Sequence, residues 1–417
     1  MRTFALLLLL AGIALPARAV KRITVDQLEQ VLAAAPGKPD AEVAQQLFNL
    51  ELTERLNGGR LARWETQLPG PRSRQALVAL ADVSAFLNLP ATEIPAAAAP
   101  DFAAQRRMMA LTVDYASKTI HQLPNFSATR VTTSFQDRPW KSERAQAEHV
   151  RDQPLQPFGA QSAAVVYRNG DEVVQSSASQ SGASLQGLTT TGEFGPILLT
   201  MLLDAARSKL AWSHWERGPA GPVAVFRSAV PEAKSHYQVA YCCIQKPNGD
   251  HIYFRQFSGY QGEIAVDPAN GTILRLVLKA DLKPSDPIVQ ANILVEYGPV
   301  EIGGKTYICP VRSVALSLQL ELDTLSGPGA PAAPGPMQTL LNDVVFERYH
   351  LFRAEARMLA GTNDDAARDP SASAPEDPGN LAKPAAAGKA APAENAPGVA
   401  PPAPPPPSPA ENPAPRR

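Results

Sequence analysis

Four side chains that could bind a metal lie close together in the sequence: His236, Cys242, Cys243 and His251. Imidazole and thiolate groups are the ligands that zinc prefers. The spacing matches neither a Cys-x-x-Cys nor a His-x-x-x-His pattern, and adjacent cysteines on a strand point to opposite faces of the sheet. We therefore predict no metal site and no other cofactor.

A nucleophilic serine would be expected in a Gly-x-Ser-x-Gly turn between a strand and a helix. The sequence has no such motif, and Ser181 and Ser258 each precede a glycine in a stretch typical of an ordinary turn. The Gly303-Gly304 pair stands alone and does not form a phosphate-binding loop. The sequence therefore predicts no enzyme and no catalytic residue. An envelope hydrolase, with a site assembled from distant residues, is the weakest of three alternatives.

His214 lies between Trp212 and Trp215, a combination that could line a subsite for a sugar or an aromatic ring. Tryptophan also occurs at the rim of a core, where its ring is buried and its N–H reaches a partner. We interpret these residues as the end of a helix at the edge of the core.

The first 19 residues have the features of a cleaved export signal. Arg2 precedes an apolar run from Phe4 to Leu15, and Ala17-Arg18-Ala19 follows in the small-x-small form of a signal-peptidase site. The run is shorter than the roughly 20 apolar residues that a spanning helix needs. We expect cleavage near Ala19 and a periplasmic or secreted protein that does not span the membrane after cleavage.

Export determines how the three cysteines are interpreted. In an oxidising compartment, Cys309 could form a disulfide with either Cys242 or Cys243, which would leave one thiol over. Buried free thiols are an equal alternative, because an odd cysteine count does not indicate a disulfide framework.

The bulk composition excludes one broad class of function. The 39 basic and 40 acidic side chains nearly cancel, and no run of lysine and arginine supplies a local positive field. Aromatic residues make up only 6% of the chain, which disfavours a base-stacking platform. We therefore predict that nucleic acid is not a partner.

Composition and periodicity divide the mature chain into four parts. A small helical module is predicted for residues 20–90, where Thr24 and Gln27 form a capping-box pair. An Ala/Pro linker follows at 91–100, and a β-rich domain with covering helices at 101–360. Proline and alanine dominate residues 361–417, which we expect to be disordered. This tail could be a spacer, a partner's ligand or a passive solubilising segment.

The β-rich part is predicted to be α+β: one long meandering antiparallel sheet interrupted by a helix. In the strand that follows the turn Asp267–Gly271, alternation places Leu274, Leu276 and Leu278 on one face. The helix near residues 194–205 carries an apolar stripe that would cover this face. The predicted shared interior, which is either a ligand-binding lining or closed core, consists of Ile197, Leu198, Met201, Leu274, Leu276 and Leu278.

Three stretches carry a resemblance to a known family. A helix passes into the first strand at Leu123-Pro124-Asn125-Phe126, Val166 to Gly170 follows, and Gly262 to Arg275 contains an aspartate-turn-glycine hairpin ending in Ile273-Leu274-Arg275. This order, over about residues 102–358, resembles the exported LolA-like lipoprotein carriers and the RseB/MucB-type sigma-factor regulators. It implies an exported group, of acidobacterial type, that shares the fold without a known carrier role.

The resemblance implies an unclosed β-barrel or curved sheet wrapped over helices, with a concave apolar surface for acyl chains. It supplies no catalytic residue. The helical module and the tail have no counterpart in the simple carriers. The leading hypothesis is a non-enzymatic envelope protein that binds a hydrophobic ligand or an acylated lipid or protein partner. The second is an envelope interaction scaffold that recruits protein partners through the helical module and the tail.

Overall fold

Alternating apolar residues form long strands in the structure, a computed structural model that describes residues 20–138, 151–175, 186–245, 251–283, 285–322 and 334–352. The expected export signal at 1–19 and the expected disordered tail at 361–417 lie outside the described residues. The helices are α1 Val25–Ala33, α2 Asp40–Phe48, α3 Gly58–Glu65, α4 Pro71–Ser84, α5 Phe102–Gln122 and α6 Pro196–Ala206.

The strands alternate with turns along the rest of the described chain. They are β1 Lys21–Ile23, β2 Leu50–Leu52, β3 Phe126–Gln136, β4 Gln156–Arg168, β5 Asp171–Gln175, β6 Gly187–Leu188, β7 Lys209–Gly218, β8 Gly221–Val230, β9 Gln238–Gln245, β10 His251–Phe257, β11 Gly259–Val266, β12 Ile273–Asp281, β13 Ile288–Ile302, β14 Lys305–Leu322 and β15 Pro334–Leu351.

Ten strands form one open antiparallel sheet in the order β5-β4-β3-β15-β14-β13-β12-β11-β8-β7. The predicted α+β class, with an unclosed curved sheet and covering helices, is confirmed. The prediction of a single sheet is wrong, because β9 and β10 pair with β6 in a separate three-stranded sheet, and β1 pairs with β2 in parallel. Gly187 of β6 has a positive φ, and a side chain there would press against Leu340 of β15.

The first helix of residues 20–90 begins as the sequence predicts. The side chain of Thr24 accepts a hydrogen bond from the backbone N–H of Gln27, and the Gln27 side chain accepts one from the N–H of Thr24. These reciprocal bonds satisfy two donors that a helix start leaves unpaired. The four helices surround their own apolar cluster, which includes Leu28, Leu47 and Leu77.

The large sheet has two covered faces. On the interior face, α5 and α6 pack over a cluster that includes Met201, Leu276 and Leu278. On the outer face, Phe86 and neighbouring residues pack against Val277 and other apolar side chains. Burial of this kind contributes roughly 1.5–3 kcal/mol for each large apolar side chain, so both layers are held firmly.

Polar contacts also attach the α1–α4 segment to the outer face. Asp82 of α4 is buried and pairs with Arg312 of β14. The Arg312 Nε donates to the Asp343 carboxylate at 3.0 Å. The Lys279 ammonium of β12 donates to the backbone carbonyl of Phe86 at 2.6 Å. These contacts place the residues after α4 directly above the sheet. Among the described helices, none has both the length and the apolar character needed to cross a membrane.

Candidate functional site

An open groove lies between the residues that follow α4 and the outer face of β7, β8, β11 and β12. It consists of two cavities of about 520 Å³ and 340 Å³. Both are lined by Arg55, Leu87, Asn88, Arg227 and Glu263, so they are parts of one groove. We call it the outer groove.

Apolar side chains line much of the larger cavity. Those that follow α4 supply one wall, and alanine and valine from the strands supply the floor. Because alanine side chains are short, the strands leave space open above β7 and β8. The apolar lining consists of Ala85, Phe86, Leu87, Ala211, Ala229 and Val277.

An ion-pair network lies beneath the groove. Arg275 of β12 donates to Glu216 of β7 at 3.0 and 2.9 Å and to Glu263 of β11 at 2.8 Å. Arg55, from the loop after β2, also pairs with Glu216 and approaches Glu263 at 3.6 Å. Two arginines and two carboxylates therefore compensate one another where water has little access.

The network lowers the pKa values of both of its carboxyl groups. Burial alone would raise the pKa of Glu216, but the hydrogen bond with His214 and the charges of Arg275 and Arg55 hold that pKa far below its usual range. Burial likewise opposes ionisation of Glu263, but Arg275 and Arg55 lower its pKa. Both carboxylates therefore remain ionised at neutral pH.

The second cavity contains a hydrogen-bonded chain of three side chains. The Ser213 hydroxyl lies 2.8 Å from His214 Nδ1, and His214 Nε2 lies 3.0 Å from Glu216 Oε1. Ser213 and His214 both line this cavity. The pairing of β7 with β8 shifts register between Trp212 and His214, which places Ser213 at an irregularity in the strand.

The interpretation of this region as a helix end is wrong. Residues 209–218 form β7, because they pair along their length with the apolar strand β8. The Trp212 and Trp215 rings pack edge to face at 4.8 Å, and the Trp215 indole N–H donates to the carbonyl of Ala98. His214 is thus held at the edge of the outer groove.

Five of the six residues predicted to share an interior are brought together there. They all belong to the largest apolar cluster, and none lines the outer groove. Their exposed fractions are 7% for Ile197, 5% for Leu198, 1% for Met201, and 0% for both Leu276 and Leu278. In this structure they form closed core.

Leu274 is the exception, and its predicted place on the leucine face is wrong. Pairing of β11 with β12 shifts register at Ala265 and Val266, whose partners are Arg275 and Ile273. Leu274 is the extra residue of this irregularity, so the alternation reverses there. Ile273 joins the interior cluster instead, while Leu274 packs against the small apolar cluster that contains Ala265.

Of the two alternatives for Cys309, the structure has the buried free thiol and not the disulfide with Cys242 or Cys243. Cys309 is a free, buried thiol on β14, among aromatic side chains that include Phe126 and Tyr167. Cys242 and Cys243 are bonded to each other on β9, which belongs to the small separate sheet. Cys309 and the vicinal pair therefore lie in different sheets.

His236, one of the four metal-binding candidates, has a carboxylate partner. Its ring and its backbone N–H both bind Asp204 of α6, which also accepts a hydrogen bond from Tyr260 at 3.1 Å. The His251 side chain lies outside the described part. Across the described ranges, no group of three or more histidine, cysteine or acidic residues is arranged to hold a metal ion.

Sequence reasoning missed the residues of the outer groove. Arg55 and Glu216 are 161 positions apart, and no local pattern predicts that they meet. One signal was present: Arg275 and Lys279 lie on the polar face of a strand that is otherwise apolar. Charged residues on a strand that other elements cover require partners.

No protein-family profile and no curated protein matches the sequence. A solved structure of a LolA superfamily protein from Nitrosomonas europaea is similar to 58% of this chain and 94% of its own, with 8% identity and a TM-score of 0.25. A DUF1329 family protein from Desulfovibrio piger is similar to 60% of this chain and 93% of its own, with 7% identity and a TM-score of 0.21. At these TM-scores, neither likeness carries an argument about function. The first structure is of the superfamily that the sequence resembles.

Proposed function

We infer that this is an exported, non-enzymatic binding protein that holds a largely apolar ligand, such as an acyl chain, in the outer groove. The supporting observation is the cavity of about 520 Å³, open to solvent and lined largely by apolar side chains. Ligand pockets typically have volumes of about 300–1,000 Å³ and a predominantly apolar lining.

The groove is a better site than the predicted interior. Ile197, Met201 and Leu276 are almost completely buried, so a ligand could reach them only if α6 moved. The outer groove requires no such movement. An acylated protein could insert its chain in the same way as a free lipid. The scaffold alternative depends partly on the tail, which lies outside the described residues.

A filling substitution tests this proposal. Ala229 is exposed on the floor of the larger cavity, so Ala229→Phe would occupy the groove without entering the core. Ala220→Phe, in the exposed turn of the same β7–β8 hairpin, is the matched control. We expect the first variant to lose binding of a neutral fluorescent dye, N-phenyl-1-naphthylamine, and the control to keep it. Equal binding by both folded variants would contradict the proposal.

One observation favours a second candidate function, an esterase. Ser213, His214 and Glu216 form a hydrogen-bonded chain at one end of the groove. With the Nε2 proton donated to Glu216, His214 Nδ1 can take the Ser213 proton as the oxygen attacks an ester carbonyl. The alcohol would leave with that proton, and water would then release the acid from Ser213.

The two candidates are separated by a serine-directed phosphonate probe and by hydrolysis of a p-nitrophenyl ester. An esterase would be labelled at Ser213, and both labelling and hydrolysis would disappear in Ser213→Ala. A non-enzymatic binding protein would show no labelling. Its dye binding would be unchanged in Ser213→Ala, because the hydroxyl supplies none of the apolar lining.

A further inference from the structure

The charges around the outer groove are unbalanced. The charged residues that line its two cavities are Arg55, Lys209, Arg227, Lys279 and Glu263: four cations and one carboxylate. The whole chain, by contrast, has a net charge of −1. The excess of positive charge is therefore local to this surface and does not reflect the composition of the whole chain.

Two of the four cations are committed to holding the structure together. Arg55 is 9% exposed and pairs with Glu216 and Glu263 beneath the groove. Lys279 donates to the carbonyl of Phe86, and burial lowers its pKa. These two side chains position the walls of the groove.

The other two cations remain available to a ligand. The Arg227 side chain is 52% exposed and uses Nε for Glu263 and Nη2 for Asn88, each at 3.2 Å. Within the described ranges, its Nη1 has no partner, and the Lys209 ammonium has no hydrogen bond or ion pair. An anion could bind both groups without displacing any existing contact.

Strand pairing brings these two cations to one place. Lys209 pairs with Ala229, and Ala211 pairs with Arg227, on adjacent strands β7 and β8. The two cations are therefore diagonal neighbours, roughly 7–8 Å apart at their backbones and within reach of one another through their long side chains. The two alanines complete the square and belong to the apolar floor.

We propose that the ligand of the outer groove is an amphiphile of the fatty-acid kind, with one apolar chain and a terminal carboxylate held by Lys209 and Arg227. This inference rests on the proposed function, since it specifies the ligand of the same site. The chain lies over Ala211, Ala229 and Val277 towards Phe86, and the carboxylate remains at the edge of β7 and β8. Only a carboxylate adds attraction between opposite charges, and a bidentate geometry, to its hydrogen bonds with these two cations, so the anion should be preferred over a neutral head.

The test compares two ligands that differ only in the head group: myristate and 1-tetradecanol, each titrated below the concentration at which it aggregates. Each ligand is titrated into the full-length protein carrying the neutral dye, and displacement of the dye reports binding. We expect myristate to bind at least about tenfold more tightly than the alcohol, because only the carboxylate pairs its charge with the guanidinium and the ammonium. Added salt should weaken only the carboxylate's binding.

Variants then assign the head group to its residues. The double variant Lys209→Gln/Arg227→Gln should lose most of the roughly tenfold preference for myristate over tetradecanol, whereas Arg227→Lys should retain most of it. Lys305→Gln, at the exposed start of β14, is the matched control for a lost positive charge.

Each outcome is decisive. Equal affinity for acid and alcohol, unchanged in the double variant, would overturn the head-group inference and leave the proposed function standing. Failure of both ligands to displace the dye, or of the dye to bind, would overturn both. A loss of both affinities in the double variant, with its thermal unfolding unchanged, would assign the two cations to packing and overturn the inference.

Discussion

Arg275 of β12 and Glu216 of β7 form a bidentate ion pair, with hydrogen bonds of 3.0 and 2.9 Å, although β11 and β8 lie between their strands. The pair crosses the outer face of the sheet directly beneath the groove. Arg55, from the α1–α4 segment, pairs with the same carboxylate. The network therefore both attaches that segment and supports the floor of the candidate site.

Glu216→Gln should destabilise the protein by about 3 kcal/mol at neutral pH. The substitution removes the charge that compensates two largely buried arginines, and breaking such pairs typically costs about 3–5 kcal/mol. Chemical denaturation of the variant measures this loss. Glu232→Gln is the matched control, because Glu232 forms an exposed pair with Lys283 that is worth at most about 1 kcal/mol. Equal effects of the two substitutions would contradict the role assigned to the network.

Glu172 should make the protein less stable as the pH rises. Burial and the nearby charge of Glu193 raise its pKa from 4.5 to about 7, although the N–H groups of Gly192 and Phe194 favour the ionised form. Between pH 4.5 and about pH 7, the folded state therefore keeps a proton on Glu172 that the unfolded state has already lost. The carboxyl's stabilising contribution is complete below about pH 4.5 and is lost as the pH rises through 7.

The measurement is the difference in unfolding free energy between the wild type and Glu172→Gln, at pH values from 4.5 to 8. Glutamine has one acceptor oxygen where the carboxylate has two, which adds an offset that does not depend on pH. We expect the wild type to lose stability relative to the variant as the pH rises. A constant difference across this range would show that Glu172 titrates normally.

Leu276→Ala should cost about 2–5 kcal/mol, the usual range for a fully buried leucine. Leu274→Ala should cost clearly less, because Leu274 is only half-buried in a small cluster on the opposite face. Leu276→Lys should prevent folding, since it would bury an unpaired charge. Urea unfolding of the two alanine variants measures the free energy that each leucine contributes. A similar loss of stability in both would contradict the placement of Leu274 and Leu276 on opposite faces of β12.

This contrast shows how far the sequence predicts the fold. Alternation correctly grouped Leu276 and Leu278 with the α6 residues, because each strand keeps a period of two wherever its pairing is regular. It failed at Leu274, because the register shift arises from pairing with β11 and leaves no signal in β12 itself. The groove could not be predicted, since Arg55 meets its carboxylates only after the helical segment has packed on the sheet.

Peptide mapping without reduction should find Cys242 linked to Cys243 and Cys309 unmodified. Burial raises the pKa of the Cys309 thiol to about 12, so little thiolate is present at neutral pH. Iodoacetamide should therefore label Cys309 only after denaturation. A cross-linked peptide that contains Cys309, or rapid labelling of the native protein, would contradict the cysteine arrangement described above.

Native mass spectrometry of the protein purified from a Gram-negative periplasm, followed by lipid extraction, tests the central claim most directly. The account predicts that one acyl-chain molecule co-purifies with the wild type and with Ala220→Phe, and is absent from folded Ala229→Phe. A protein mass without ligand, together with no dye binding, would contradict the claim that the outer groove binds an apolar ligand. A ligand retained by Ala229→Phe would place the binding site elsewhere.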